Sequence, residues 1–388
     1  MMTKIIIAAD SFKGSATSLE VADYLAEGIH TVDAQAEVVK VPVADGGEGT
    51  VASILTAVGG QRMTTDVTGP SGQPLQAHWG LLANHVAVIE VAEGAGITQV
   101  VGQLDPLRTT SYGVGQVIEA ALDAGARTIY VGLGGSATTD GGVGLAQALG
   151  AHFYDAQGAE VTHQGAGVGR IVRLDCQQMD PRLAEAKIIG LTDVTNPLIG
   201  PEGAAAVFGP QKGATPTVVQ QLDAGLKNLN TLVLRQTGTD FSQQPGAGAA
   251  GGIGFGLLAF LGGQLQPGIQ EILRLTQLSA RLATADLVIS GEGQIDGQSL
   301  MGKAPIGITK LAKAQGKPVV LIAGSLGADL AAVYAAGADL VLSSTVSPMS
   351  VTEAISQTPK LLKQAGMTAM RAFLLGHNPG NKDVEAKA

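Results

Sequence analysis

The sequence KIIIAADSFKGS, residues 4–15, contains the signal that decides the fold of the chain. Its apolar first half, residues 4–9, predicts a buried parallel strand, because strands covered on both faces are almost continuously hydrophobic. Asp10 and a turn-forming segment end this strand. Thr17 and Glu20 then form a capping-box pattern in front of an amphipathic helix. The N-terminus therefore predicts a strand, a loop and a helix in that order.

The same unit recurs at both ends of the sequence, which together supply about five apolar strand segments. Helical patterns follow these segments, at 305–315, 328–336 and 351–372 in the C-terminal part. Five parallel strands with right-handed crossovers predict a flavodoxin-like, doubly wound α/β sheet with helices on both faces. The predicted strands lie at 4–9, 36–43, 285–290, 317–324 and 338–345.

The middle of the chain is richer in glycine and has strand patterns of its own, such as VAVIEVAE and RTIYVGLG. We therefore expect a second α/β domain, residues 67–284, inserted into a discontinuous flavodoxin-like domain made of residues 1–66 and 285–388.

Composition limits the kind of partner that the protein binds. The chain of 388 residues is 45% hydrophobic and 15% charged, which indicates a globular protein. Its net charge of −9 and the lack of a basic stripe argue against nucleic acid or an anionic membrane, so a small molecule is expected. Cys176 has no partner for an internal disulfide, and no signal-peptide pattern is present, so a cytoplasmic location is expected. The sequence leaves a homo-oligomer open.

Carboxylates stand among glycines in three predicted loops that follow strands. The ends of parallel strands share one edge of a sheet, so these acids are expected to lie near one another. Such a set suits magnesium beside phosphate oxygens. Two of the acids have simpler explanations, since Asp10 could cap a turn and Glu48 could favour a helix N-terminus. The acids are Asp10, Asp45, Glu48, Glu292 and Asp296.

Glycine-rich segments in the middle of the chain are candidates for phosphate binding. GLGGSATTDGG, residues 132–142, follows a strand and precedes a helix, so its amides and the helix N-terminus are expected to receive a phosphate. GAGAAGGIGFG, residues 246–256, contains a G-x-G-x-x-G pattern but lacks the strand and the downstream acid of a dinucleotide site. Tight packing of small residues explains that segment equally well.

Three polar residues have two interpretations each. Asp193 follows an apolar strand and is either a general base or the cap of an Asx turn. Lys212 lies between glycines and either binds a carboxylate or phosphate or is merely exposed. Lys13 likewise is either a ligand-binding cation or a solvated side chain. The six histidines are scattered and no G-x-S-x-G sequence occurs, which argues against a zinc site and a hydrolase triad.

GQSLMGKA, residues 297–304, nearly matches a nucleotide-binding P-loop. Gly297, Gly302 and Lys303 have the required spacing, but Ala304 replaces the Ser or Thr that would bind magnesium. We expect Lys303 to contact phosphate and the magnesium ligands to come from the front of the same segment.

Eight motifs resemble, in order and spacing, those of the type 1 glycerate kinase family, and the resemblance covers residues 3–375. Two positions depart from the family pattern, with Ala9 where Pro is common and Gln294 where Arg is frequent. The motifs are DSFKGS (10–15), ADGGEGT (44–50), VTGPSGQP (67–74), GGSATTDGG (134–142), TDVTNPLIG (192–200), FGPQKGAT (208–215), GAGAAGGIGFG (246–256) and GEGQIDGQSLMGKAP (291–305).

The resemblance implies a kinase that requires ATP and Mg²⁺ and phosphorylates D-glycerate, in this branch usually at the 2-hydroxyl. It also implies a flavodoxin-like domain with an inserted α/β domain and an active site in the cleft between them. The alternatives are a kinase that forms 3-phosphoglycerate, a nucleotide-binding or hydroxy-acid-binding protein without activity, and a nicotinamide-dependent dehydrogenase. The third is disfavoured because no dinucleotide fingerprint follows the first strand.

With that activity, each candidate residue receives a role, because phosphoryl transfer requires positioning and neutralisation of charge. For the triphosphate we nominate Gly134, Gly135, Ser136, Gly248 and Lys303. For magnesium we nominate Glu292 and Asp296, followed by Asp45 or Glu48. For the glycerate carboxylate we nominate Lys13 or Lys212, with Asp10 also at the substrate. For orienting or deprotonating the hydroxyl we nominate Asp193, then Asp45.

Overall fold

Strands and helices alternate along the computed structural model, which describes residues 2–44, 46–296 and 304–376. In chain order the strands are β1 (Lys4–Ile7), β2 (Glu37–Lys40), β3 (Gln61–Thr68), β4 (Pro74–Leu82), β5 (Val86–Glu90), β6 (Thr128–Gly132), β7 (His152–Tyr154), β8 (Arg173–Asp175), β9 (Lys187–Leu191), β10 (Gln264–Gln266), β11 (Leu287–Ile295), β12 (Val319–Leu326) and β13 (Leu340–Ser343). The α-helices are α1 (Ser18–Val32), α2 (Thr50–Val58), α3 (Val91–Ala95), α4 (Tyr112–Asp123), α5 (Val143–Ala148), α6 (Gly165–Val168), α7 (Ala204–Phe208), α8 (Pro216–Thr237), α9 (Ala249–Ala259), α10 (Gly268–Leu275), α11 (Leu278–Leu282), α12 (Ala304–Lys313), α13 (Leu330–Ala335), α14 (Val351–Ser356) and α15 (Thr358–Gly376).

The chain divides into two units, which we call the terminal unit, Met1–Asp45 with Ile272–Ala388, and the central unit, Gly46–Glu271. These limits do not coincide with the predicted division at residues 66 and 284. The first limit precedes α2, because Val51 and Leu55 of that helix pack on Gly80 of β4, in the central unit. The second limit falls within α10. That the central unit is an inserted domain stays a prediction.

The terminal unit contains a five-stranded sheet in the order β2-β1-β11-β12-β13, and all of its neighbouring strands are parallel. Counted along the chain this order is 2-1-3-4-5, the flavodoxin-like order. Ile5, Ile7 and Ile289 pack in one core with α1 and α15, while the alternate residues Ile6 and Val288 are equally buried. The sheet is therefore covered on both faces, which confirms the predicted α/β fold class.

Strand β11 is longer than the sequence predicted. The expected strand ended at Ser290 and a loop was expected over residues 291–299, but Glu292 pairs with Ala323 and Gln294 with Ser325 in register. Gly291 allows β12 to approach closely, because a Cβ at this position would collide with the carbonyl oxygen of Ile322. The prediction that Glu292 lies in a loop was wrong, since this residue lies on a paired strand.

The central unit contains a six-stranded sheet in the order β10-β9-β6-β5-β4-β3. The first four strands of this order are parallel, and β3 and β4 form an antiparallel hairpin that pairs with β5. Trp79 of β4 is 1% exposed and belongs to the core beneath this sheet, together with residues of α4 and α9. Over the described part of the chain, no helix is both long and apolar enough to cross a membrane.

Candidate functional site

The terminal sheet has its topological switch point between β1 and β11, where strand order reverses and open α/β sheets bind ligands. Asp10 lies at this point, just beyond β1, and its amide donates to the carbonyl of Gly291 at 2.9 Å. Asp10 Oδ1 accepts the amide of Ser11 at 2.6 Å. This second contact agrees with the turn-capping interpretation and fixes the carboxylate at the sheet edge.

Lys13 lies at the tip of a tight loop after Asp10. Phe12 and Ala16 form an antiparallel bridge that closes this loop, and Gly14 at its tip has a φ of 79°, where glycine is favoured. Phe12 is buried and Lys13 is exposed. Phe12 therefore anchors the loop, and Lys13 extends into solvent. This exposure fits both a ligand-binding cation and an ordinary solvated side chain.

Two candidate magnesium ligands lie at the end of β11. Glu292 and Gln294 are alternate residues of β11, so their side chains extend to the same side of the strand, and Asp296 is the first residue after it. The Gln294 side-chain nitrogen donates to Asp296 Oδ2 at 3.1 Å. Glu292 and Asp296 are half-buried and Gln294 is exposed. Within residues 2–44, 46–296 and 304–376, no three His, Cys, Asp or Glu side chains converge as a metal site. Two carboxylates still suit Mg²⁺, which usually takes one or two protein carboxylates together with substrate phosphates.

The loop after β6 in the central unit presents a row of backbone donors. Gly135 is exposed, Gly134 is half-buried and Ser136 is 6% exposed. Among the described residues, no hydrogen bond uses the amide N–H of any of these three. Gly135 has a φ of 67°, which favours glycine. Buried amides are almost always paired, so three consecutive amides without a protein acceptor suit an anionic ligand or water. We call residues 134–136 the amide loop.

Lys212 supports the amide loop from the interior. It lies in a 3₁₀ turn, Pro210–Lys212, and is only 2% exposed, so the interpretation of an exposed lysine was wrong. Its Nζ donates to Ser136 Oγ at 2.9 Å and to the Thr138 carbonyl at 2.6 Å. Burial lowers the pKa of Lys212 to about 7, and the nearby carboxylate of Asp140 opposes this shift. The side-chain nitrogen of Lys212 therefore lies directly behind Ser136, held by these two acceptors.

Asp140 occupies the helix N-terminus that the sequence suggested for phosphate. Its carboxylate accepts the amide of Ser111 at 2.8 Å, the hydroxyl of Ser111 at 2.7 Å, and the amides of Gly142 and Gly144 at 3.1 and 3.3 Å. Burial raises the pKa of Asp140, and these hydrogen bonds oppose the shift. The first amides of α5 are thus satisfied within the protein, so the prediction of phosphate at this helix N-terminus was wrong.

Glu90 caps helix α2, a helix whose N-terminus Glu48 could favour as the alternative to binding a metal. Glu90 Oε2 accepts the amide of Gly49 at 3.1 Å, and Oε1 accepts the amide of Val51 at 2.7 Å. Glu48 is exposed on the loop before α2. Burial raises the pKa of Glu90 to about 7, the two amides oppose this shift, and Glu93 and Glu48 add to it. The sequence analysis missed Glu90.

Asp193 lies two residues beyond β9 and is half-buried. Its Oδ1 is 3.5 Å from the amide nitrogen of Ile269, at the start of α10. At that distance this particular hydrogen bond is weak. The geometry is compatible with the predicted base, because the carboxylate lies at the carboxyl edge of the parallel strands of the central unit.

Gly248 lies in a segment of close backbone packing. Its amide donates to the carbonyl of Asn196 at 3.0 Å, and a side chain at this position would collide with the carbonyl of Pro197. Gly251 packs in the same way on the carbonyl of Thr138, behind the amide loop. These contacts favour the packing interpretation of the G-x-G-x-x-G pattern, and a nucleotide contact by Gly248 stays a prediction.

Asp45 and Lys303 lie outside the described residues, so their predicted roles stay untested. Residues 297–303 of the P-loop-like segment also lie outside the described residues. Its last residue, Ala304, is buried and begins α12.

Sequence reasoning missed the buried polar network that supports the amide loop. Thr109, Thr110 and Ser111 are at most 2% exposed. The Thr109 hydroxyl donates to the carbonyl of Ala137 at 3.1 Å, and the Thr138 hydroxyl donates to the carbonyl of Thr109 at 3.2 Å. The sequence RTTSYG, which places three hydroxyl residues just before a helix, was an available signal. Asp140 itself was visible in the quoted GGSATTDGG motif.

The parallel sheets, the amide loop and the acids at strand ends are typical of α/β proteins that bind phosphorylated ligands at the carboxyl ends of their strands. The comparisons with known proteins are more specific. A family model described as the glycerate kinase family matches residues 5–374. The chain therefore belongs to the glycerate kinase family, and it is a kinase.

Named relatives extend over nearly the whole chain. A glycerate kinase from Haemophilus influenzae is 47% identical over 340 residues, which cover 87% of this chain and 90% of the relative. A glycerate 2-kinase from Escherichia coli K12 is 43% identical over 353 residues, 90% of this chain and 93% of the relative. A crystal structure assigned as a glycerate kinase 2 from Salmonella typhimurium LT2 has 43% identity and a TM-score of 0.85, and the match covers 97% of this chain and 100% of that one.

Proposed function

We propose that this protein transfers the γ-phosphoryl group of ATP to a hydroxyl of D-glycerate and that the product is 2-phosphoglycerate. Family membership supports the glycerate kinase activity, and the name of the Escherichia coli relative supports the 2-position. We also expect the enzyme to act on small molecules in the cytoplasm, and this location stays a prediction.

The observation that carries the proposal is the amide loop with Lys212 behind it. Three consecutive N–H groups have no acceptor within the described residues, and the buried ammonium group bonds to Ser136 of the same loop. Donors of this kind, fixed in advance, stabilise the charge that develops on phosphate oxygens during transfer. We assign Gly134, Gly135 and Ser136 to the ATP phosphates, and Gly248 and Lys303 stay predicted contributors.

Lys212 has a narrower role than the sequence suggested. Two of its three ammonium protons point to Ser136 Oγ and the Thr138 carbonyl, which leaves one for a ligand. A cation held in this way stiffens the amide loop and adds positive potential for an anion. We assign Lys212 to an anionic group of the bound substrates, either the glycerate carboxylate or a phosphate.

The carboxylate edge of the terminal unit suits the metal and the second substrate. Glu292 and Asp296 would hold Mg²⁺, and the role of Glu48 as a metal ligand stays a prediction. The metal, when bound, neutralises phosphate charge and orients the transferring group. Lys13 is exposed and therefore accessible to the glycerate carboxylate, and Asp10 can accept a hydrogen bond from a substrate hydroxyl at the switch point.

We assign Asp193 as the group that orients or deprotonates the attacking hydroxyl, with Asp45 as the second candidate. A base must lie within hydrogen-bonding reach of the proton that it accepts. Asp193 supports this assignment by its place, since it is half-buried and lies two residues beyond the end of β9.

The test is release of ADP from ATP and Mg²⁺ by the full chain, measured with and without D-glycerate. Glycerate-dependent ADP is expected, and its absence would contradict the kinase assignment. Tight ATP binding without turnover would indicate a non-catalytic binding protein, and NADH formation from NAD⁺ and D-glycerate would indicate a dehydrogenase. Carbon NMR of the product distinguishes 2-phosphoglycerate from 3-phosphoglycerate, and the second product would contradict the proposed position.

A further inference from the structure

The segment before α2, residues 46–49, packs against the glycines that lead into the amide loop. We call it the 46–49 loop. A side chain on Gly132 would collide with the carbonyl of Gly46, and a Cβ on Gly134 would lie 2.5 Å from the Cα of Gly47. The two backbones are therefore in contact with no space for a side chain between them. A displacement of the 46–49 loop would be transmitted directly to Gly134, the first residue of the amide loop.

The 46–49 loop lacks a cap of its own. Its last residue, Gly49, is the N-cap of α2 with a φ of 87° and has no side chain to accept the first amides of the helix. Glu90 at the end of β5 supplies the acceptors, one oxygen for Gly49 and the other for Val51. Thr50 adds a second connection, because its hydroxyl donates to the carbonyl of Gly47 at 2.7 Å.

We propose that Glu90 is a positioning residue for phosphoryl transfer, because its carboxylate holds the 46–49 loop against the amide loop. This proposal rests on the proposed function. Glu90 is 4% exposed and both of its carboxylate oxygens already accept backbone amides, so it acts through the loop. The charged groups that face it among the described residues are Glu93 of α3 and Glu48. Both are acids and do not attract the Glu90 carboxylate. The amides of Gly49 and Val51 therefore hold it in position.

The variant Glu90→Gln keeps the shape of the side chain but replaces one acceptor oxygen with a donor nitrogen that faces an amide. The matched control is Glu93→Gln, since Glu93 accepts the amide of His78 at 2.9 Å and its bond does not involve the 46–49 loop. Thr50→Val is a second, nearly isosteric variant, which removes only the bond to Gly47. Each variant is first checked for folding by circular dichroism.

We expect Glu90→Gln to raise KM for ATP about tenfold, the size of one lost hydrogen bond to a charged group, with a smaller change in KM for D-glycerate. Thr50→Val should also raise KM for ATP, but by a smaller factor. The double variant should lose less than the sum of the two single effects, because both bonds hold one loop. Glu93→Gln should keep wild-type kinetics.

A folded Glu90→Gln variant with wild-type KM for ATP and wild-type kcat would overturn the proposal, and so would an equal loss in Glu93→Gln. If Glu90→Gln does not fold, Glu90→Asp decides, because its shorter side chain withdraws the carboxylate from Gly49 and Val51, and wild-type kinetics in that folded variant reject the positioning role. If the wild-type chain shows no glycerate-dependent ADP, the proposed function fails. The positioning role is then judged by calorimetry of ADP binding to the same variants, where equal affinities in wild type and Glu90→Gln reject it.

Discussion

The two sheet edges carry their charged groups in different ways. At the edge of the terminal unit, Glu292 and Asp296 are half-buried, and Asp296 contacts Gln294, two positions away. In the central unit, Glu90 and Lys212 are at most 4% exposed, and their hydrogen bonds join residues separated by 39 to 76 positions. Acids at an open edge depend on solvent and ligands, whereas buried charges depend on protein donors. Substitutions should therefore affect ligand binding at the first edge, and both stability and binding at the second.

The largest effect is expected at Asp193, a half-buried acid of the central unit that resembles the acids of the terminal edge. Asp193→Asn preserves shape but removes the base, so kcat should fall by about two to four orders of magnitude. The variant should keep the fold, because asparagine has the same shape and can still accept a hydrogen bond through its side-chain oxygen. Steady-state kinetics and denaturant unfolding of the same sample measure both quantities. A fully active variant, or one that is unfolded, would show that Asp193 is not the base.

A smaller effect is expected on stability, where the buried acid Glu90 should make the free energy of unfolding depend on pH. Its folded pKa of about 7 lies above the ordinary glutamate pKa of 4.5, so between these values the folded state binds more protons than the unfolded state. Glu90 therefore contributes stability that is fully present below pH 4.5 and is lost as pH rises through 7. Relative to Glu90→Gln, wild type should lose roughly 2 to 3 kcal/mol of unfolding free energy between pH 5 and pH 8.

Denaturant unfolding across that range measures the difference, and Glu93→Gln serves as the control, with a slope close to that of wild type. If the unfolding free energies of wild type and Glu90→Gln changed equally with pH, Glu90 would be ionised throughout that range. The contrast between buried and open charges would then be smaller than the structure indicates.

The terminal unit was predictable because its signals are local. The strand at β1, the capping box of Thr17 and Glu20, and the apolar runs near β12 and β13 all depend on neighbouring residues, and the capping box is present. The error at β11 arose because glycine and acids suggest a loop, while pairing with β12 keeps them in a strand. Tertiary contact overrode local propensity at that position.

The buried residues that support the amide loop and the 46–49 loop were not predictable in the same way. Glu90 follows an apolar strand like any strand-end residue, and nothing near it in sequence shows that its partners are Gly49 and Val51. Lys212 similarly lies 76 positions from Ser136, so its burial follows from packing that one sequence does not display. The motifs located the amide loop, but the structure was needed to find the charges that support it.

The smallest effect is expected at the open edge, with Glu292→Gln. Loss of one of two candidate magnesium ligands should raise the Mg²⁺ concentration for half-maximal activity about tenfold, since the remaining carboxylate and the ATP phosphates still bind the ion. The unfolding free energy, measured without metal, should stay within about 0.5 kcal/mol of wild type, as for other substitutions at accessible positions. Lys313→Met, which breaks an exposed ion pair with Asp339 in the same unit, is the control for loss of a surface charge and should leave the Mg²⁺ requirement unchanged. A wild-type Mg²⁺ requirement in Glu292→Gln would exclude Glu292 as a ligand. A large loss of stability would instead mean that this edge relies on internal hydrogen bonds as the central unit does.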